Sequence, residues 1–198
     1  WSRNVLNMMI KSDLYASQAE APKITNFQAT LPALQSDMAH ELFKDPYNFE
    51  FLNLKKAAHE RDIEEALVIN IRDFLLRLGK GFSFVGNQYK VTVGGDEFFI
   101  DMLFFNMDLN CYVVIELKTG KFSPADSGQL KFYLTAVNKL VKKDHHAPTI
   151  GILLCENKNE VVAEFALEGV NEPMGISQYE LGEALTQHLK ILREDKQA

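Results

Sequence analysis

The stretch from Phe98 to Lys118 constrains the fold more than any other part of this 198-residue chain. It reads FFIDMLFFNMDLNCYVVIELK, two runs of β-branched, aromatic and aliphatic residues joined by a polar turn. Runs of this kind are typical of buried strands. The sequence therefore predicts two neighbouring antiparallel strands, with the turn between them centred near Asp108 and Leu109.

Three charged residues, Asp101, Glu116 and Lys118, interrupt this apolar hairpin. Side chains alternate along a strand, so Glu116 and Lys118 share one face, and the turn position places Asp101 roughly opposite Glu116. Charges among aliphatic side chains are costly unless they are paired or bind a metal. Two carboxylates beside an ammonium suit a hard cation such as Mg²⁺, which takes oxygen ligands. An ion pair of purely structural role between Lys118 and a carboxylate is the alternative.

The remaining pattern predicts an α/β fold with a mixed central sheet flanked by helices. The strand region 82–93 ends in a Gly94-Gly95 turn and completes a three-strand meander with the hairpin. A right-handed crossover then places the next helix against the sheet. The other predicted elements are a helix 54–78, a helix 126–142, a buried strand 149–155, a helix 160–167, a short edge strand 175–181 and a helix 183–193.

Residues 1–53 are interpreted as the tail of an upstream helical domain or a linker, and residues 54–198 as one domain. A first helical segment is predicted to end near Gln18, and a short helix is predicted from Ser36 to Phe43 with Ser36 as its cap. Because the chain begins with Trp1 rather than Met, we expect it to be a fragment of a longer protein.

Composition narrows the functional classes. A net charge of −6 argues against sequence-independent coating of DNA, although a lysine-rich stretch at 118–158 is compatible with a polyanion on one side.

The sequence shows no apolar run long enough to cross a bilayer, so we expect no membrane partner and a cytoplasmic protein. Cys111 and Cys155 lie in apolar runs and are interpreted as core thiols in a reducing compartment.

Two further sets of polar residues lie on predicted helices. Glu64 and Glu65 flank the apolar stripe of helix 54–78, and one of them is placed to reach the pocket of Asp101. Gln129 and Tyr133 are four residues apart, so they share one side of helix 126–142. The alternatives are a solvated glutamate, a half-exposed glutamine and a tyrosine at the edge of the core.

The chain carries, in this order, a helix glutamate, an Asp, an ExK tripeptide and a QxxxY pair. With these motifs in this order, the sequence resembles the PD-(D/E)xK phosphodiesterase superfamily. It is more closely similar to the YhcG branch, the DUF1016 proteins. The matching text includes VGNQYKVTVGGDEFFIDMLFFN, CYVVIELKTGKFSPADSGQLKFYLTAVN and TIGILLCENKNEVVAEFAL. The resemblance implies a restriction-endonuclease-like core, and the N-terminal text implies the end of that family's upstream domain. Ile100 stands where the superfamily name has proline.

Residue by residue, the resemblance implies an active site. Asp101 and Glu116 would bind Mg²⁺ or Mn²⁺ together with the Leu117 carbonyl, and Lys118 would be the catalytic lysine. Glu64, chosen over Glu65, would be the helix acid. Gln129 and Tyr133 would complete the catalytic set, and the predicted substrate contacts are Gln88, Lys121 and Lys131.

The implied function is metal-dependent hydrolysis of DNA phosphodiester bonds. Two alternatives remain open at this point: a module that binds DNA or a partner without cutting, and a nuclease acting on RNA or branched DNA. A homodimer is plausible because two cuts need two sites, and the upstream part of the protein is a possible partner.

Overall fold

The computed structural model describes residues 23–52, 54 and 58–181. Within these residues the chain forms a seven-stranded mixed sheet with helices on both faces. The strands are β1 (Ile24–Thr25), β2 (Tyr47–Asn48), β3 (Phe82–Val93), β4 (Asp96–Asn106), β5 (Cys111–Lys121), β6 (Ile150–Asn157) and β7 (Met174–Glu180). The helices are α1 (Phe27–Thr30), α2 (Ala33–Leu42), α3 (Glu60–Ile69), α4 (Ile71–Leu78), α5 (Pro124–Leu140) and α6 (Glu160–Leu167).

The sheet has the predicted meander and crossover. Strands β3, β4 and β5 pair antiparallel, and β6 lies parallel to β5 after the α5 crossover. Asn106 pairs with Cys111, so the hairpin turn is centred between Asp108 and Leu109. The predicted restriction-endonuclease-like α/β core is therefore confirmed.

The prediction that 175–181 forms an edge strand is wrong. β7 pairs with β6 on one side, and on its other side it pairs with β1 and β2. Strands of two residues carry too little pattern to be read from sequence, which is why these partners were not predicted. The described part of 1–53 packs on the same sheet, and its separation at residue 53 as a tail or linker stays a prediction.

The predicted helix 54–78 is interrupted at Asn70, so it was wrong as one continuous helix. The Asn70 side chain donates to the Ala66 carbonyl oxygen at 2.8 Å, and Asn70 ends α3 and precedes α4. Asparagine side chains compete with the helical backbone in this way. The helix also starts later than predicted, after His59, whose backbone N–H donates to Asp62 Oδ2.

Two helix starts differ from the sequence prediction. α2 begins at Ala33 after Pro32, so Ser36 is a buried residue inside the helix and not its cap. α5 begins at Pro124, where the backbone N–H of Ser123 donates to Asp126 Oδ2 at 2.8 Å. Proline is favoured at the first helical position because its missing N–H needs no partner there.

Two apolar cores lie on opposite faces of the sheet. The first holds α3 and α4 residues such as Leu67 and Phe74 with Met102 and Leu117 of the sheet. The second holds the α5 stripe with side chains from the other face, among them Leu103, Val114 and Leu153. The central strands are therefore covered on both sides.

The free thiols of Cys111 and Cys155 are buried, and burial raises the pKa of each to about 12. Both are therefore unreactive core residues, as expected. Among the described residues, none of the helices combines the length and apolarity that a membrane span requires. The predicted helices before Gln18 and at 183–193 lie outside the described residues.

Candidate active site

The candidate site begins where β4 and β5 separate. Their backbone pairing runs from the turn to Met102 and Ile115. At the next position a side chain replaces the backbone carbonyl as acceptor. The Asp101 backbone N–H donates to Glu116 Oε1 at 3.2 Å. In return, the Leu117 N–H donates to Asp101 Oδ2 at 2.9 Å. Asp101 and Glu116 therefore meet at the point where the two strands diverge.

The side-chain alternation of β4 also changes at this position. Ile100 packs in the core under α5, whereas Met102 packs in the opposite core under α3 and α4. In a regular strand these two side chains would point to the same face. The irregularity turns Asp101 out of the ladder and towards β5.

Burial dominates the electrostatics of the two acids. It raises the pKa of Asp101 to about 6, although the Leu117 N–H and Lys118 oppose this rise. The pKa of Glu116 is raised well above its ordinary value, first by burial and then by the charge of Asp101. Glu116 is 1% exposed, and its Oε2 atom is buried without a hydrogen-bond partner. Such an atom is costly unless a proton or a cation satisfies it.

Lys118 lies beside this pair but makes its ion pair with a residue from α3. Its Nζ atom is 3.3 Å from Glu60 Oε1, and the other oxygen of Glu60 accepts from the Thr119 N–H at 3.1 Å. Burial lowers the pKa of Lys118, but the charges of Glu60, Asp101 and Glu116 outweigh it and raise the pKa overall. Lys118 is therefore held as a cation at the edge of the acid pair.

Glu64 reaches the same pocket from α3, and Glu65 does not. The Gln88 Nε2 atom donates to Glu64 Oε2 at 2.8 Å and lies 3.5 Å from Asp101 Oδ1. Glu64 is buried, whereas Glu65 is exposed and pairs with Arg61 one helical turn before it. Geometry thus favours Glu64 as the helix acid.

Gln88 adopts an unusual backbone conformation at the site. Its φ of 44° lies in the left-handed region, which is uncommon for residues other than glycine. Such strain persists only where surrounding contacts hold it. The side chain of this residue is held by its hydrogen bond to Glu64.

The QxxxY pair approaches the site from α5, on the other face of the sheet. Gln129 Nε2 lies 3.4 Å from the Tyr133 hydroxyl. Burial is the main cause of a raised pKa of Tyr133, and the charges of Glu116 and Asp101 add to it. The Tyr133 side chain is therefore buried, while Gln129 is exposed.

The two lysines predicted to contact substrate lie apart. Lys121 is exposed near the end of β5, at the same end of the strand as Lys118. Lys131 is exposed on α5 and lies 3.9 Å from Glu172 Oε2. Lys121 thus lies three residues beyond Lys118 on β5, while Lys131 has a charged neighbour away from the acids, Glu172.

Glu60 is the residue that sequence reasoning missed. It lies 58 positions before Lys118 and resembles any solvated glutamate of a helix. One signal was available: Glu60 and Glu64 are four residues apart, so they share one side of a helix. The Glu60 carboxylate binds β5 at Lys118 and the Thr119 N–H, and the Glu64 carboxylate binds Gln88 of β3.

The acidic side chains of the site determine whether a metal ion fits. Among the described residues, no three His, Cys, Asp or Glu side chains are arranged as a ready-made metal site. Mg²⁺, however, commonly uses only one or two carboxylates and completes its shell with water and substrate phosphate. The unpartnered Glu116 oxygen beside Asp101 fits this requirement.

A mixed sheet whose meander brings an Asp, an ExK tripeptide and a helix Glu together defines an α/β protein of the restriction-endonuclease-like class. The model of the YhcG PDDEXK nuclease domain matches residues 40–194. The chain belongs to this family.

A curated protein shows a similarity that extends over most of this chain. The chain is 34% identical over 182 residues to "Putative nuclease YhcG" of Escherichia coli (strain K12), an alignment covering 91% of this chain and 48% of that protein. The chain thus spans about half the length of this relative.

Two solved structures show a more distant likeness. One is the "crystal structure of a repair endonuclease from Pyrococcus abyssi", with 19% identity and a TM-score of 0.42 over 66% of this chain and 50% of that chain. The other is the "Structure of EndoMS-dsDNA2 complex", with 19% identity and a TM-score of 0.42 over 66% and 48%.

Proposed function

We propose that this chain is the catalytic domain of a nuclease that uses a divalent metal ion to hydrolyse phosphodiester bonds of DNA. The observation that carries the proposal is the meeting of two carboxylates, the buried Glu116 and the partly buried Asp101, with a charged lysine beside them. A buried carboxylate oxygen without a partner is expensive in a structural element, whereas it is useful as a ligand. Family membership supports the nuclease class.

The ion would be Mg²⁺ or Mn²⁺. Asp101, Glu116 and the Leu117 carbonyl would hold it, with Glu64 joining directly or through water. When bound, such an ion lowers the pKa of a water molecule and neutralises charge that builds on the phosphate. It would also let both acids remain ionised in spite of burial, because it replaces their mutual repulsion with attraction.

The positive charge of Lys118 would stabilise the transition state of hydrolysis. As a cation beside the acids, it would position the attacking water or stabilise the additional negative charge on the phosphoryl oxygens. Glu60 holds the ammonium group at 3.3 Å and would set its position. The water oxygen would bond to phosphorus while the bond from phosphorus to the 3′ oxygen breaks. The water would give up one proton and the 3′ oxygen would take one up from solvent, so the products are a 5′-phosphate and a 3′-hydroxyl.

The remaining residues would orient the reacting groups. Gln129 and Tyr133 would fix the waters around the ion from the α5 side, in the way that outer hydrogen bonds tune metal sites. Gln88 would hold Glu64 and Asp101 in place from the β3 side. Lys121 and Lys131 would contact the phosphates of the substrate.

The test is a substrate panel. The purified chain is incubated with labelled single-stranded, double-stranded and branched DNA and with RNA, in Mn²⁺, in Mg²⁺ and in EDTA. We expect cleavage of DNA only when the divalent ion is present. Cleavage of RNA but not of DNA would show that the substrate is RNA. Binding of DNA without cleavage in any condition would favour a module that binds DNA and does not cut it.

A further inference from the structure

The β3–β4 hairpin continues beyond the point where β4 leaves β5. From Ile100 to Asp96, β4 pairs with β3, and the hairpin closes through Gly94 and Gly95. Both glycines have positive φ, 63° and 97°, as a tight hairpin turn requires. We call the segment 88–101 the ribbon. It starts at the candidate site, because Asp101 and Gln88 lie at its base.

The two sides of the ribbon differ in character. One side packs against α5: Val91 and Ile100 are buried, and the Phe98 and Phe132 rings have centroids 4.6 Å apart. The other side is exposed, and it consists of Gln88, Lys90, Thr92, Glu97 and Phe99. The apolar residues of the packed side thus contribute to a core, whereas Phe99 on the exposed side belongs to neither of the two cores.

Phe99 is the large apolar side chain on this exposed side. It is 45% exposed, and it pairs across the ribbon with Lys90, which binds Glu97 at 2.9 Å. Because strands rise about 3.3 Å per residue, Phe99 lies about 7 Å along the strand from Asp101. Gln88, on the same exposed side, has its Nε2 atom 3.5 Å from Asp101 Oδ1, so this side of the ribbon leads from Phe99 to the candidate site.

A nucleic acid seated at Asp101 extends to both sides of the cleaved phosphate. Successive nucleotides of a duplex strand are about 3.4 Å apart along the axis, so a distance of about 7 Å corresponds to about two nucleotides. We propose that Phe99 contacts the substrate within about two nucleotides of the cleaved phosphate, with its ring against a base or sugar. This inference rests on the proposed nuclease function and identifies a substrate-binding surface, the exposed side of the ribbon.

Stacking is the chemistry that this surface offers. Every base presents an aromatic face, so a phenylalanine ring binds bases with little sequence preference. The Lys90–Glu97 ion pair leaves the surrounding surface without a strong excess of positive charge. Phe99 would therefore contribute an apolar contact, and the phosphate contacts would come from the lysines around the ExK strand.

The test measures DNA binding and cleavage by variants at Phe99. The probe is a fluorescent DNA duplex with a short single-stranded tail, with binding measured in Ca²⁺ and cleavage in Mn²⁺. We expect Phe99→Ala to weaken binding roughly five- to fifty-fold and to raise KM more than it lowers kcat, while Phe99→Trp stays within about twofold of wild type. The matched control is Leu34→Ala. Leu34 is 76% exposed on α2, whose Gln35 contacts Leu109 in the turn at the other end of β4.

Three results would overturn the inference. Wild-type cleavage with unchanged binding and KM in Phe99→Ala would remove Phe99 from the substrate surface and leave the proposed function intact. A change of sedimentation coefficient in Phe99→Ala without a change in DNA binding would assign the residue to contact with a second copy of the chain. If wild type neither binds nor cleaves any probe, the proposed function fails, and the inference fails with it.

Discussion

Asp101 and Glu116 replace part of the backbone ladder between β4 and β5 with their own side chains. The Asp101 N–H donates to the carboxylate of Glu116, and the carboxylate of Asp101 accepts from the N–H that follows Glu116. Both carboxylates are thus fixed by the strands that carry them. Neither one can leave the site without breaking a contact between β4 and β5.

Divalent ions should stabilise the folded chain through this pair. Mass action adds about 1.4 kcal/mol when the ion is present at ten times its dissociation constant, which corresponds to a rise in Tm of about 3–6 °C. Asp101→Asn should abolish the rise in Mg²⁺ or Mn²⁺, as measured by thermal unfolding with EDTA as reference. Equal shifts in wild type and variant would show that the ion binds elsewhere.

The stability of the metal-free chain should fall as the pH rises. The pKa of Asp101 is about 6 in the folded state, above its ordinary value, mainly because of burial, and the pKa of Glu116 is raised as well. The folded state then binds more protons than the unfolded state, so this contribution is complete below about pH 4 and is lost as the pH passes 6.

Asp101→Asn isolates this effect because asparagine keeps an oxygen for the Leu117 N–H. Urea unfolding in EDTA at pH 5 and pH 7.5 should show a smaller pH-dependent loss in the variant than in wild type. The difference should be on the order of 1–2 kcal/mol, less than the full shift implies because Asp101 is only partly buried. Identical pH dependence in both proteins would contradict the raised pKa.

Glu64 and Glu65 provide a matched pair for the helix acid. Glu64 is buried against Gln88, and Glu65 is exposed beside Arg61. We expect Glu64→Gln to lower metal affinity and cleavage roughly 10- to 100-fold, and Glu65→Gln to stay within about twofold of wild type. Isothermal titration with Mn²⁺ and a cleavage assay measure both effects. If the Glu65 variant loses activity and the Glu64 variant stays active, Glu65 and not Glu64 is the helix acid.

Glu60 should position Lys118. Glu60→Gln removes the nearest negative charge, so the pKa of Lys118 should fall and the alkaline limb of the cleavage profile should move to lower pH. The rate near neutral pH should fall roughly tenfold. A variant with an unchanged alkaline limb and rate would show that the contact between Glu60 and Lys118 has no role in the reaction.

The sequence allowed the meander, the crossover helix and the positions of Asp101, Glu116 and Lys118 to be predicted, because strand alternation and a short turn determine them. The rest depends on tertiary contacts. The two-residue partners of β7 carry no pattern of their own. The approach of Glu60 to Lys118 arises only when α3 packs on the sheet. The change of alternation beside Asp101 leaves no mark in a run of residues that are apolar on both sides of it.

The most direct test of the account is DNA cleavage by wild type, Glu116→Gln and Lys118→Ala in Mn²⁺, with Glu65→Gln as control. The account predicts a loss of at least about 100-fold in the first two variants, with Tm close to wild type, and an unchanged rate in the control. Wild-type cleavage by a folded Glu116→Gln or Lys118→Ala chain would contradict it.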